Sequence, residues 1–515
     1  MACESLPMSV SWGLLAAFIC LVLLYGYRTM SVLQKLGVRG PTPLPFVGNL
    51  LTYRKGQNVA FREWRQNYGR VYGMYEGLAP KLVITDPEIV KQVFVKDFSN
   101  FPMRMPLCIP IGLPEETLIF ADFSHHKRRR GILSPAFTAG KVKLMVPLVN
   151  RCADFLMENL DKLFVEETTF DAKQVFSYLT LDVMASTAFG VEVNSQKDPQ
   201  HAFVVNARKV DLSVVGGMKP SLIIAAVLSM VVPMDVLEKW GLTVVPADAV
   251  SFFHSILETI LTMRIKQQPN ERRMDLLELM RAAREEHCLD LPEEFEKSLS
   301  ADEVTTDAIS FFLAGYDTIA GLLGTTAVNL ARYSDMQDKL LQEVATVTEE
   351  QGYVQNEDIQ KMEYLDMFLM ETLRMDSGAR FPRLCTQDTE ISPGLTVPAG
   401  VEVIIDSDSL HIDPEYWPEP ETFIPERFTK EESNKREPFT FIPFGQGPRT
   451  CIGMHLALMA TKITLVRILQ KYRFVAFNVT VEVNELNKAA DLRLTDHGLG
   501  FFVRNQWVKL ERLDY

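Results

Sequence analysis

The rhythm of apolar and polar positions changes several times along this 515-residue chain, and each change predicts an element. Met8 to Tyr25 is apolar apart from Ser9 and Ser11. As a helix it would span about 27 Å, close to the hydrocarbon thickness of a bilayer. Glu4 is the only charged residue before it, whereas Arg28, Lys35 and Arg39 follow. Positive flanks stay cytoplasmic, which predicts a signal-anchor at residues 8–27, a luminal residue 1–7 segment and a cytosolic body. A cleaved signal peptide is the ordinary alternative, but there is no basic n-region and Tyr25-Gly-Tyr-Arg28 is a poor cleavage site. Gly40-Pro-Thr-Pro-Leu-Pro45 then reads as a stiff tether within a basic, proline-rich linker, residues 28–50.

In the body, residues 51–515, Val71 to Tyr75 and Leu82 to Thr85 read as short strands around a turn. Helical periodicity dominates from Asp86 to about Tyr364. Leu222 to Val232, bracketed by Pro220 and Pro233, is too short to cross a bilayer and reads as a core helix. Ser300-Ala-Asp-Glu303 has the capping-box pattern and predicts a helix running to about Tyr333. An interior glycine costs a helix about 1 kcal/mol relative to alanine, so Gly315 in its middle invites a reason. Glu371 and Arg374 share one helix face at i, i+3 spacing, an arrangement common on exposed surfaces. Glu350 to Asn356 and Glu431 to Glu437 read as polar loops, and Met454 to Tyr472 as a helix.

Composition adds bounds. The chain is 47% hydrophobic and 23% charged, the balance of a large globular core. Its seven cysteines are scattered and odd in number, which points to a reducing compartment. A net charge of −13 argues against nucleic acid as a partner. The basic run Ser124-His-His-Lys-Arg-Arg-Arg130 would ordinarily be a solvated face.

The chemistry concentrates at Pro443-Phe-Gly-Gln-Gly-Pro-Arg-Thr-Cys-Ile-Gly453. Glycines and proline predict a stiff, turning loop that feeds the helix from Met454. Cys451 therefore sits at a helix N-terminus, where amide N–H groups and the dipole favour thiolate, and Arg449 adds positive charge. Such a thiolate can be a nucleophile, a redox cysteine or a metal ligand. The absence of a C-x-x-C pair argues against zinc and thiol exchange. A lone cysteine is otherwise most often a small buried apolar residue.

Phe444, Gly445, Gly447, Arg449, Cys451 and Gly453 together resemble the haem-binding loop of the cytochrome P-450 family. The resemblance implies a mainly α fold with small β-sheets (α+β), the cytochrome P-450 fold with an N-terminal transmembrane helix. It implies haem b, with Cys451 as the axial iron ligand, because a thiolate pushes electron density toward bound dioxygen and favours O–O cleavage. Ala314-Gly-Tyr-Asp-Thr318 looks like the family's oxygen-binding groove. Small residues at Ala314 and Gly315 would let haem and dioxygen approach, Thr318 would hydrogen-bond the oxygen being activated, and Asp317 would relay protons. Aligning Leu133-Ser-Pro-Ala-Phe137 puts Arg130 at a haem-propionate arginine and His126 where the family carries tryptophan, a departure. The neighbouring arginines would suit the face on which an acidic electron donor docks. Arg383 aligns with another propionate contact. Glu371 and Arg374 match a pair that the family buries and locks to a later arginine, here Arg427 of Pro425-Glu-Arg-Phe428, so their role would be structural. The 222–232 run becomes a candidate membrane-dipping lip beside the substrate entrance. After Arg374, Met375-Asp-Ser-Gly-Ala-Arg380 lacks the family's usual prolines and is one residue short, in a loop that borders the substrate cavity.

The resemblance covers the chain from about residue 30. Met362-Glu-Tyr-Leu-Asp-Met367, Phe98-Ser-Asn100 and Cys451-Ile-Gly-Met454 look like the vertebrate family-three drug-metabolising enzymes and their relative thromboxane synthase. It implies an NADPH-driven monooxygenase of the endoplasmic reticulum membrane, acting with dioxygen on an apolar steroid, fatty acid or xenobiotic. NADPH–cytochrome P-450 reductase, with cytochrome b5 as a further donor, would supply electrons. Two alternatives stay open at this point: an endoperoxide or hydroperoxide isomerase that needs no reductase, and a non-enzymatic haem protein.

Overall fold

The computed structural model describes residues 30–104, 112–113, 117–209, 232–268, 273–285, 299–348, 352–376, 378–476 and 506–513, with residues 24, 26, 110, 225, 228 and 229. Apart from Leu24, the expected Met8 to Tyr25 span lies outside the described residues, and so does most of the 222–232 run. The longer helices among the described residues are α1 (Gln57–Tyr68), α2 (Phe123–Leu133), α3 (Val146–Val165), α4 (Ala172–Met184) and α5 (Ala247–Lys266). They continue as α6 (Leu276–Glu285), α7 (Ala301–Arg332), α8 (Ser334–Val347), α9 (Glu363–Asp376) and α10 (Met454–Leu469).

The strands are few and short. β1 (Val71–Glu76), β2 (Ala79–Ile84), β4 (Arg380–Leu384) and β7 (Glu402–Asp406) form a four-stranded sheet in the order β1-β2-β7-β4. The β1–β2 hairpin is antiparallel, with Glu76 opposite Ala79 and Gly77 in its two-residue turn at φ 62°, and β2 runs parallel to β7. β5 (Thr389–Ser392) and β6 (Leu395–Val397) form a two-stranded sheet among the described residues. β3 (Phe170–Asp171), β8 (Tyr472–Ala476) and β9 (Trp507–Arg512) form a third sheet with β9 in the middle. The helical body with small sheets is the fold class expected.

The core is built around α7. Ser300 Oγ accepts from Glu303 N–H (3.0 Å) and Glu303 accepts from Ser300 N–H (2.8 Å), so the helix starts where its capping box predicts. It is long and apolar enough to cross a membrane, but 83% of its most apolar window is buried, so it is the spine of the core. Phe312 on α7 meets Phe189, Phe203 and Phe253 with ring centroids 5.3–5.5 Å apart. Such aromatic clusters contribute roughly 0.5–1.5 kcal/mol per pair beyond area burial. Near its other end, Gly324 leaves room for the buried Gln506, whose amide donates to Thr325 Oγ1 (2.8 Å); a Cβ at Gly324 would lie 1.7 Å from Gln506 Oε1.

Two boundaries differ from expectation. The helix from Met454 ends at Leu469, and Tyr472 already belongs to β8, whose β-rich Tyr-Arg-Phe-Val sequence pairs with β9. Glu431 to Glu437, expected as loop, contains a short helix, Lys430–Lys435, because the Thr429 hydroxyl accepts from Glu432 N–H and caps it.

Candidate active site

The loop before α10 turns twice through the left-handed region, with Gly445 at φ 71° and Gly447 at φ 75°. A Cβ on Gly447 would sit 2.1 Å from the Phe94 carbonyl oxygen, so the glycine is required by close approach as well as by φ. The loop closes on itself. Gly445 N–H donates to Ile442 O (3.0 Å), Thr450 N–H to Gly447 O (3.0 Å) and Cys451 N–H to Phe444 O (2.9 Å). The Phe444 ring packs with Leu458 on α10, Leu373 on α9 and Leu322 on α7, one helical turn beyond Thr318. These contacts join the cysteine loop to the helix that carries the second motif.

Cys451 is exposed to open volume, yet burial is the largest influence on its thiol. Both observations hold if the sulfur faces a void enclosed by the protein. A Cβ added at Gly453, two residues on, would meet nothing within 4 Å. Burial pushes the Cys451 thiol up, while Gly453 N–H, Arg104, Arg130 and Met454 N–H pull it down. The amides converge as the sequence implies, but the enclosed site reverses the expected net preference for thiolate, because a charge there loses more hydration than the amides return. Positive charge brought into the void would restore it.

Four arginines gather near Cys451 and His126. Arg104 and Arg130 both act on the Cys451 thiol, Arg104 acts on Arg383 and Arg449, and all four depress His126. Arg383 is buried over the Phe94 ring (4.9 Å); its Nη1 donates to Pro382 O (2.8 Å), while its Nε and Nη2 have no hydrogen-bond partner among the described residues. Burial and its arginine neighbours push Arg383 well down and bring Arg449 to about 9. The carboxylate felt by Arg449, Asp122, is engaged by His125 and Ser124. The buried Arg383 and Arg449, each with an unpartnered donor among the described residues and beside further arginines, make a site for an anionic group.

His126 joins the cluster. It is buried on α2 with its ring near Phe98 (6.4 Å), and burial together with Arg449, Arg130, Arg104 and Arg383 lowers its pKa to about 3, so it is neutral. Arg130 donates to Thr450 O (2.8 Å), beside Cys451. Arg104 was not visible as a site residue. Its one sequence signal is that it stands as the sole charge in the apolar stretch Phe101 to Cys108.

The rest of the basic run is not a docking face. Arg128 and Arg129 are buried and bound to Glu303, and Arg129 also to Asp307, so of the four consecutive basic residues only Lys127 is exposed. Their carboxylate partners lie more than 170 positions away on α7, beyond the reach of local pattern.

On α7, Ala314 is exposed and Thr318, one turn later, is half-buried. The Thr318 hydroxyl donates to Ala314 O (2.7 Å), the ordinary fate of a helical threonine, which leaves its lone pairs free to accept. Gly315 does not open the groove as expected. A Cβ there would meet Met184 Sδ at 2.6 Å, so the glycine serves the close packing of α4 on α7. Asp317 is buried and paired with Lys173 (2.8 Å) on α4.

Behind the loop, Arg374 donates to Glu371 (2.7 and 2.9 Å), to His411 O (2.9 Å) and to Thr422 O (3.3 Å), with both side chains fully buried. Arg427 Nε stands 3.5 Å from Glu371, an ion-pair distance without hydrogen-bond geometry. His411 Nε2 accepts from Ile442 N–H (2.9 Å), so the neutral ring carries its proton on Nδ1, and burial holds its pKa down at about 3. The Glu371–Arg374 pair is thereby tied to the start of the cysteine loop.

A lone thiol, an enclosed void and a cationic rim describe a haem-thiolate site. The profile described as "Cytochrome P450" matches residues 38–497, and the chain belongs to this family. Among curated proteins it is 39% identical over 466 residues to cytochrome P450 3A7 of Homo sapiens, 38% to cytochrome P450 3A29 of Sus scrofa and 36% over 469 residues to cytochrome P450 3A9 of Rattus norvegicus. Each match covers 90% of this chain and 90% of the relative. The chain is a P450 monooxygenase of family-three type, and its cofactors are haem b, dioxygen and electrons from NADPH passed by a reductase. The residues present fit haem. Cys451 offers one sulfur ligand, and the unfilled Arg383 donors suit the porphyrin carboxylates.

Proposed function

We propose that this chain inserts one oxygen atom of dioxygen into an apolar small molecule, a steroid, fatty acid or xenobiotic, at the cytosolic face of the endoplasmic reticulum. Residues 8–27 anchor it in a single pass, residues 28–50 form the tether and residues 51–515 the catalytic domain. NADPH–cytochrome P-450 reductase delivers electrons and cytochrome b5 serves as a second donor. The apolar run and its one-sided positive flank support the anchor.

The observation that carries the reading is the Cys451 thiol, exposed yet pushed up by burial, in the company of four arginines that act on it or on the neutral His126. Cys451 holds the haem iron, and bound haem supplies dioxygen binding and O–O cleavage favoured by thiolate donation. Arg104, Arg130, Arg383 and Arg449 hold the carboxylates, with His126 a neutral donor among them. Phe444, Gly445 and Gly453 shape the loop under the ring. Ala314 keeps α7 low over the cavity. The Thr318 lone pairs accept a hydrogen bond from water entering there. On leaving Lys173, the Asp317 carboxylate takes a proton from entering water and passes it toward Thr318.

The test is purified Cys451→Ser beside the parent in reductase-supplemented membranes. The parent gives NADPH- and oxygen-dependent product from a panel of steroids, fatty acids and drugs, and a thiolate-type carbon monoxide spectrum; the variant gives neither. Endoperoxide turnover without NADPH, insensitive to Thr318→Ala, would overturn the monooxygenase reading.

A further inference from the structure

Asp307 lies on α7 two turns before Ala314, fully buried and away from the motif. Its Oδ1 accepts from Leu118 N–H (3.0 Å) and from Arg129 Nη1 (3.2 Å). Each partner leads to the cysteine loop. On the first route, the carbonyls of Leu118 (3.5 Å), Ile119 (3.1 Å) and Ala121 accept from the Arg449 guanidinium. On the second, Arg129 is followed on α2 by Arg130, which donates to Thr450 O (2.8 Å). The routes end on Arg449 and Thr450, the two residues immediately before Cys451. Arg129 is braced further by Glu303 (3.2 Å), whose second oxygen closes the helix cap on Ser300 N–H.

We propose that Asp307 is a positioning residue, fixing the segment that carries Cys451 against the helix that carries Thr318 through two polar arms that pass around the haem cavity. This rests on Cys451 being the iron ligand. A buried carboxylate gripping two partners tolerates little displacement, because each broken bond strands a desolvated group. Arg129 carries one arm only, and Asp307 carries both.

The experiment uses holoprotein of Asp307→Ala, Asp307→Asn, Arg129→Met and a core control, Leu257→Ala on α5. Three quantities are read on each: the rate of haem transfer to apomyoglobin, the ratio of thiolate-type to thiol-type carbon monoxide bands, and the thermal midpoint. Asp307→Ala is expected to transfer haem about tenfold faster or more, the scale of one lost charged hydrogen bond, and to gain thiol-type band. Asp307→Asn keeps an acceptor oxygen and should recover most of the parent ratio. Arg129→Met should fall between them, and Leu257→Ala should lower the midpoint without moving the ratio. If Asp307→Ala yields no holoprotein, Arg129→Met decides on the same readouts. Parent-like band ratio and transfer rate in the variants that fold, with only the midpoint lowered, would overturn the proposal. A thiolate-type spectrum in Cys451→Ser would instead overturn the ligand assignment beneath it.

Discussion

Replacing Arg374 with alanine removes four hydrogen bonds at once: two to Glu371, one to His411 O and one to Thr422 O. What remains is worse than an absence. The Glu371 carboxylate stays fully buried, with Ile424 N–H (2.8 Å) and the off-line Arg427 as its partners. Breaking a buried pair from one side costs about 3–5 kcal/mol, a large share of the roughly 5–15 kcal/mol that holds a domain folded. The damage travels, because the same residue whose carbonyl Arg374 holds receives Ile442 N–H on its ring, at the entrance to the cysteine loop. Arg374→Ala should therefore yield little haem-loaded protein, measured as haem absorbance per polypeptide, and an earlier urea midpoint in whatever is recovered. Glu371→Leu combined with Arg374→Leu removes both charges and should recover part of the loss, as apolar replacement of buried pairs often does. Normal haem content in Arg374→Ala, with stability within about 0.5 kcal/mol of the parent, would falsify the argument.

Asp182 on α4 gives a pH-dependent prediction. It is 1% exposed, Oδ1 accepts from Ser195 N–H (3.0 Å), Oδ2 has no partner among the described residues, and burial raises its pKa from 3.8 to about 7. Between those values the folded protein keeps a proton that the unfolded chain releases, so stability falls as pH rises through the window, by at most about 4 kcal/mol. Asp182→Asn should lose that slope and be the more stable protein at pH 8 in urea titrations; an unchanged slope refutes it. Gly447→Ala must push against the Phe94 carbonyl at positive φ and should lower haem content sharply, whereas Gly315→Ala meets the buried Met184 side chain and should lower the midpoint while leaving haem content close to the parent. Equal behaviour of the two variants would contradict this assignment of their roles.

Local pattern carried some of this molecule a long way. Ser300 and Glu303 announce the start of α7 because the cap is made by residues three apart, and the first hairpin follows from apolar runs around a turn. The cysteine loop was legible because its glycines, arginine and cysteine are contiguous. What escaped is what distance in sequence hides. Arg128 and Arg129 look like a solvated run until Glu303 and Asp307 arrive from another helix. Arg104 looks incidental until Arg130, Arg383 and Arg449 gather around it. The vacancy at Gly315 is explained only by Met184, a side chain more than a hundred positions earlier.

The placement of β9 ties together parts of the chain that are far apart in sequence. β9 lies between β3 and β8, and the Gln506 just before it fills the gap at Gly324 on α7. Gln506 and Thr325 are 181 positions apart and Phe170 pairs with Val508 from further still, so these contacts close long loops whose entropy must be repaid before they hold. Loss of the β9 pairings would therefore loosen this flank of α7 first, while the cap at Ser300, made by residues three apart, keeps its local bonds.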